Sequence, residues 1–495
     1  MRTIDLIILT VYLLGIVIFG ASFYKRNRSS SDFSTGSGSL PSWAVGFSIF
    51  ATYLSSISFL ALPGIAFTSN WNSFTLSLTL PFALIIAVKF FVPLYRNIGS
   101  TSAYSFLEQR FGGWACVYAA SCYLLTQIMR TATILYLLAL PLYVLLGWDM
   151  KLIIMIAGIG TLIFSYLGGM RAVVWTDVIQ SVIYISGAVA VLCYLMFSLP
   201  GGITQYFEAG REYHKFSLGS FGSSLSESTF WVVFIYGLFI NLQNFGIDQN
   251  YIQRFMIARN FKEAVSSTLG GGLLYIPVSL VLFMIGTGLF VYFQANPDML
   301  PPEFREAGMS DSIFPYYIVR ILPGGLSGLL VASIFAAGMS TISTSLNSGS
   351  TVFLINFYKR VKRSASEKES NRVLQIISVT MILISIIISF FMIKEDNILT
   401  VWWSLAGIFS GGMLGLFLLG FFSKKAGNLS AVIGVILGLL VIMWMSLSGY
   451  FTGNLESLKS PFHNYLTIVF GTMTIFFTGF IISLVVSQLK RKKGE

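Results

Sequence analysis

The sequence predicts an all-α integral membrane protein of about 13 transmembrane helices, and three observations carry that expectation. The chain of 495 residues is 55% hydrophobic and only 10% charged, with a mean hydropathy of +0.78, far outside the range of soluble domains. Its apolar stretches are each long enough to cross ~30 Å of hydrocarbon as helices. Its Lys and Arg residues, which leave a net charge of +11, sit in short clusters between those stretches rather than along one stripe. That clustering is a topology signal and gives no reason to expect a nucleic-acid partner. Cys116, Cys122 and Cys193 all fall inside apolar stretches without metal-ligand spacing and say nothing about redox compartment.

The spans are expected at 4–24, 42–67, 72–95, 114–146, 152–170, 173–198, 229–250, 264–294, 324–357, 373–393, 397–422, 429–451 and 463–489. The first is too long for a signal-peptide core and lacks a basic leader and a small-residue cleavage site, so it reads as a retained helix. Alternating the connections places most of the 31 Lys and Arg on one side, including KRNR at 25–28, KRVKR at 359–363 and KRKK at 490–493. The positive side is cytoplasmic, which puts the N-terminus outside and the C-terminus inside. The longest connections, 199–228 and 295–323, fall on the outer side and are candidate lids. If the first span is peripheral, the next five and the five after them run in opposite orientations. That parity permits an inverted repeat with halves 42–198 and 229–422, the extra helix 4–24 before them and two helices in 429–489 after them, all within one domain of residues 1–495.

Polar residues inside the spans mark where chemistry is possible. Between Ala336 and Ser348, seven of thirteen residues carry a hydroxyl or an amide. At 100° per residue Ala337, Thr341, Thr344 and Ser348 form one strip, with Ser340, Ser343 and Asn347 beside it. Such a face suits either close helix packing, with hydroxyls bonded back to their own helix, or an ion path. The span containing Thr52, Ser55, Ser56 and Ser58 ends in Pro63 and Gly64 and reads either as a packed Ser-rich helix or as one that breaks halfway and frees backbone carbonyls for a small cation. Arg130 stands deep in a span, suited to a carboxylate from outside the chain or to an internal ion pair with Asp177. Asp177 itself is either an ion ligand or an interfacial cap on Arg171. Lys89, near a span end, snorkels to the cytoplasmic edge.

Little in the sequence supports an enzyme. Only His214 and His463 are available, both in or beside outer loops, and no phosphate cradle or nucleophile elbow occurs. A sodium-permeable channel is the alternative of a different class, but no filter-like loop is evident, and a lone buried Arg suits an anionic solute better than a cation pore.

Four ordered stretches, YLGGMRAVVWTDVIQ (166–180), DQNYIQRFMIARNFKEA (248–264), LPGGLSGLLVASIFAAGMSTISTSLNS (322–348) and TSAYSFLEQRFG (101–112), resemble signatures of the sodium:solute symporter family. The resemblance is strongest over 100–360. It implies the inverted five-helix repeat of the leucine-transporter type and alternating access.

Residue by residue, the resemblance implies a sodium site from the carbonyls of Ala51, Leu54 and Ala337 with the hydroxyls of Ser340 and Thr341. A second sodium site, similar to that of the bacterial sialic acid symporters, would join Asp177, Ser340, Ser343 and Thr344. Thr341 and Thr344 stand where the family carries Ser and keep the hydroxyl, whereas Asn356 stands where it carries Asp and loses a charge at the cytoplasmic end. Arg130, Ser55 and Ser58 match the substrate-carboxylate contacts, and Ser77 falls where relatives place larger polar side chains. The expected function is therefore sodium-coupled import of sialic acid by a monomer in a bacterial-type plasma membrane, two Na+ accompanying each anionic substrate. A symporter for proline or another small carboxylate is the alternative.

Overall fold

The computed structural model of the chain describes residues 3–22, 40–99, 102–302, 310–393 and 411–493. Among them ten helices are long and apolar enough to cross a membrane, or eleven when one bent pair is taken as a single span. The first helix, α1 (Thr3–Ala21), turns Ile7, Val11, Leu14 and Ile18 outward, as a lipid-facing helix must. The expected second span is split. Helix α2 (Ser42–Tyr53) ends where Leu54 turns extended (φ −80°, ψ 118°), and α3 (Ser56–Thr68) restarts at a 53° angle.

Next comes α4 (Asn72–Ile98), which carries a π-helical turn over Ala87–Phe91 and leaves Lys89 exposed in its second half. A short α5 (Ser105–Phe111) leads into α6 (Gly113–Leu146). The two spans expected at 152–170 and 173–198 fall within one helical element, α7 (Met150–Ser198). The sequence reading broke it at Arg171–Ala172, where a cation interrupts the apolar run without ending the helix. Outer helix α8 (Gly202–Glu212) occupies the first candidate lid and buries only Tyr206 and Gly210.

A second break interrupts what the sequence suggested as one span at 229–250. Helix α9 (Phe230–Ile247) stops at Asp248, in extended conformation (φ −78°, ψ 124°), and α10 (Gln249–Ile257) restarts with the Asp248 carboxylate accepting from Asn250 N–H. Aspartate at an N-cap satisfies a backbone donor that the helix itself cannot. The chain continues through α11 (Phe261–Ala295), α12 (Ser310–Arg320) in the second candidate lid, α13 (Leu326–Phe353, extended as a π-helical turn over Leu354–Tyr358) and α14 (Glu367–Met392). It ends in α15 (Gly411–Phe422), α16 (Asn428–Leu447) and α17 (Leu466–Lys493). The first part of the span expected at 397–422 lies outside the described residues, as does the KRNR cluster at 25–28.

Helix α13 is the axis of the molecule. From Ser327 to Val352 only Leu329 escapes burial, and α7, α6, α14, α1, α2, α3 and α10 all pack against it. Helix α11 braces the broken pair. The space a Cβ would need at Gly271 is taken by Gly46 O and Ile49, and that at Gly286 by Pro63 O and Ala66. One continuous helix thus lies backbone to backbone against both α2 and α3, with its own Pro277 between the two points of contact. Small residues permit this approach where apolar burial gives no drive between helices in lipid.

Candidate functional site

The break between α2 and α3 brings the first set of expected residues together. Residues 51 to 55 are buried except for a half-exposed Tyr53, and the interruption leaves carbonyls without helical partners at mid-span. One of them, Thr52 O, accepts from Arg130 Nη2 at 3.0 Å. The guanidinium deep in α6 is therefore aimed at the broken segment, and the internal pair with Asp177 entertained from sequence does not form. Ser58 lies in hydrogen-bonding reach of the Tyr275 hydroxyl on α11, and Tyr53 donates to Asn241 of α9. Ser77, on α4, is buried and shares a 2.8 Å hydrogen bond with Ser279 of α11.

On α13 the Thr341 hydroxyl donates to Ala337 O at 2.9 Å, and α13 packs against both α2 and α3. Together with the Ala51 and Leu54 carbonyls and the Ser340 hydroxyl, the expected donor set is all neutral oxygen, chemistry suited to a small hard cation.

The second strip meets a charge. Asp177 is 0% exposed, so it is no interfacial cap on Arg171. Its carboxylate accepts from Ser340 Oγ on one oxygen and from Ser48 Oγ of α2 on the other. The latter oxygen also receives Arg254 Nη2 at 3.0 Å, and the same nitrogen reaches Thr344 Oγ1 at 3.0 Å. Ser343 turns back to Ser340 O at 2.9 Å. The polar face divides on one helix: Thr341, Ser343 and Ser348 bond to carbonyls of α13, as the packing reading expects, while Ser340 and Thr344 reach across to Asp177 and Arg254.

Arg254 and Ser48 were not found by sequence reasoning. Ending the span at 250 leaves Arg254 in a connection, where it counts as one more cytoplasmic cation. The signal that could have found it is the Asp248 N-cap opening an amphipathic turn. Asn250, on the same short helix, accepts from Tyr123 Oη at 3.0 Å and from Ser348 Oγ, and donates to Gln127 Oε1 at 3.3 Å. These bonds tie α10 to α6 and α13.

A multispan helical protein with a helix broken in its interior, a half-buried guanidinium bonded to the break and a buried polar helix packed beside it defines a membrane transporter. Residues 33–438 match the Sodium:solute symporter family, and the chain belongs to that family. Curated relatives include the sodium/sialic acid symporter NanT of Aliivibrio fischeri, 33% identical over 94% of this chain and 93% of the relative. Another is the sodium/sialic acid symporter SiaT of Proteus mirabilis, 35% identical over 89% of each. A solved Na+-coupled sialic acid symporter, in a substrate-bound outward-open state described as revealing a novel Na+ site, superposes with a TM-score of 0.89 at 32% identity, over 97% of this chain and 98% of that one. The nucleobase-cation-symport transporter Mhp1 shares the fold at 14% identity, with a TM-score of 0.58.

Proposed function

We propose that the chain imports sialic acid by alternating access, drawn inward by two Na+ per substrate. The observation that carries the reading is the bond of Arg130 to Thr52 O at the α2–α3 break, the segment that also carries Ser55 and Ser58. A guanidinium held there offers a planar fork to a carboxylate. The likeness to the NanT and SiaT symporters supports sialic acid as the carboxylate's bearer.

In this reading Ala51, Leu54, Ala337, Ser340 and Thr341 hold the first sodium, and Asp177, Ser340, Ser343 and Thr344 the second. Ser77 joins the substrate contacts after releasing Ser279. The two breaks, at Leu54 and at Asp248, open the helices that begin the halves 42–198 and 229–422, which supports reading those halves as inverted repeats. Residues 4–24 and 429–489 stand outside the core. The chain works as a monomer in the plasma membrane of a bacterial-type cell, N-terminus out and C-terminus in.

The test is uptake of radiolabelled sialic acid into proteoliposomes under an inward sodium gradient, with proline, pantothenate and glucose as competitors. Sodium-dependent accumulation above equilibrium that only sialic acids suppress is expected, and two Na+ with one sialate should carry one net positive charge inward as a substrate-induced current. Equilibration without accumulation would indicate a channel, and competition by proline a different carboxylate.

A further inference from the structure

Arg254 heads the largest side chains that are fully out of solvent. All of its donor nitrogens are engaged: Nε with Ser48 Oγ at 2.8 Å, Nη1 with Asn250 O at 2.8 Å, and Nη2 with both Asp177 Oδ2 and Thr344 Oγ1 at 3.0 Å. Two of the four side chains assigned to the second sodium, one of them its only anion, are thus already bound by a cation that belongs to the protein.

We infer that Arg254 is a tethered competitor for the second sodium site, so that sodium enters by exchanging with the guanidinium Nη2 rather than by filling a bare anionic pocket. This rests on the sodium ligands proposed above. A guanidinium does not lose its proton in proteins, so the competition is between two permanent cations. A lone carboxylate in a water-poor interior attracts a small cation strongly, which would favour loading and oppose release. With Arg254 in place, departure of sodium is assisted by an internal cation that takes over Asp177 and Thr344.

Exchange also has a geometric route. The guanidinium is planar and moves as one rigid group, so Nη2 leaves Asp177 by a rotamer change of the whole side chain that also gives up the Ser48 and Asn250 bonds, and Asp248, 6% exposed, lies within the electrostatic reach of both Arg254 and Arg130. Swinging from Asp177 toward Asp248 would keep the buried charge compensated. It would also make α10, which carries Arg254, sense sodium at a site formed by α7 and α13.

The purified chain in detergent, without substrate, is titrated with sodium against choline while thermal unfolding is followed. Arg254→Gln should lower the sodium half-saturation of the stabilisation at least tenfold. An unchanged or raised value overturns the inference. Because that variant leaves Asp177 unpaired and can fail to fold, hydrogen exchange on the unmutated protein gives a second reading. Saturating sodium should quicken exchange of amides 250–257 while slowing 340–344, and protection of both segments together overturns the exchange. Uptake on the unmutated chain separates the two levels: intact sodium-driven sialic acid uptake with either negative result removes the competitor alone, and absent uptake removes the functional reading.

Discussion

The carboxylate of Asp5, near the start of the outermost helix, caps the helix at the centre of the molecule: Oδ1 accepts from the backbone N–H groups of Gly325 and Gly328 at 2.7 and 2.9 Å. The residue is 3% exposed, and a Cβ at Gly328 would strike the Asp5 backbone. A negative charge here satisfies orphan donors and opposes the positive end of the α13 dipole. Asp5→Ala should therefore destabilise the protein by about 0.5–2 kcal/mol, read as a lowered thermal midpoint. It should also weaken sodium's stabilising effect, because the helix it anchors carries residues of both proposed ion sites. A variant with an unshifted midpoint would remove the cap from the stability of α13.

Arg130→Ala should abolish binding of sialic acid while leaving substrate-free sodium binding measurable, since the guanidinium touches Thr52 O and no proposed sodium ligand. Calorimetric titration with sialic acid, beside a sodium thermal shift, checks both halves. Retained substrate affinity would take Arg130 out of the site.

Ser340 belongs to both proposed ion sites: its hydroxyl donates to Asp177, and it stands one residue before Thr341. Ser340→Ala should disturb both sodium ions, Ser343→Ala mainly the second. Thr341→Ala should weaken the first by on the order of 1–3 kcal/mol, the range for a missing buried partner. Sodium-dependence curves for uptake in the three variants decide it, and an unmoved half-saturation for Thr341→Ala would reject that ligand.

Lys215, in the connection after α8, closes the C-terminal end of α3. Its ammonium donates to Phe67 O at 2.6 Å and Ser69 O at 2.9 Å and sits 3.8 Å from the centre of the Phe290 ring. Burial pushes its pKa down to about 8, whereas an unfolded lysine keeps its proton to ~10.4. Unfolding between those values takes up a proton, so this residue's contribution makes stability rise with pH across that window. Thermal midpoints at pH 7 and 9.5 should show the rise in the unmutated chain and lose that part of it in Lys215→Met.

Much of this arrangement is legible in the residues themselves, for definite reasons. Thr3–Ala21, Gly113–Leu146 and Leu326–Phe353 are apolar runs of membrane length, and hydropathy finds such runs. The break after Tyr53 is announced by its hydroxyl cluster and by Pro63. The break at Asp248 is not, because its lower arm is a polar nine-residue helix, Gln249–Ile257, that hydropathy assigns to a loop although Gln249, Asn250, Gln253 and Arg254 are all buried. The same error hid Arg254, whose role depends on Asp177 being 77 residues away in sequence and 3.0 Å away in space. The polar strips of α13 were visible from periodicity, but which hydroxyls turn inward to their own carbonyls and which reach across depends on neighbours that no single helix encodes.

The contact of α11 with both arms of the broken helix has a mechanical consequence. A helix interrupted at mid-span should be the softest part of a bundle, yet α2 is pinned at Gly46 and α3 at Pro63 to a single rod. The interruption can therefore expose its carbonyls without acting as a free joint. Any bending of the pair has to be matched by the rod, whose one missing backbone hydrogen bond is at Pro277, between the two contacts.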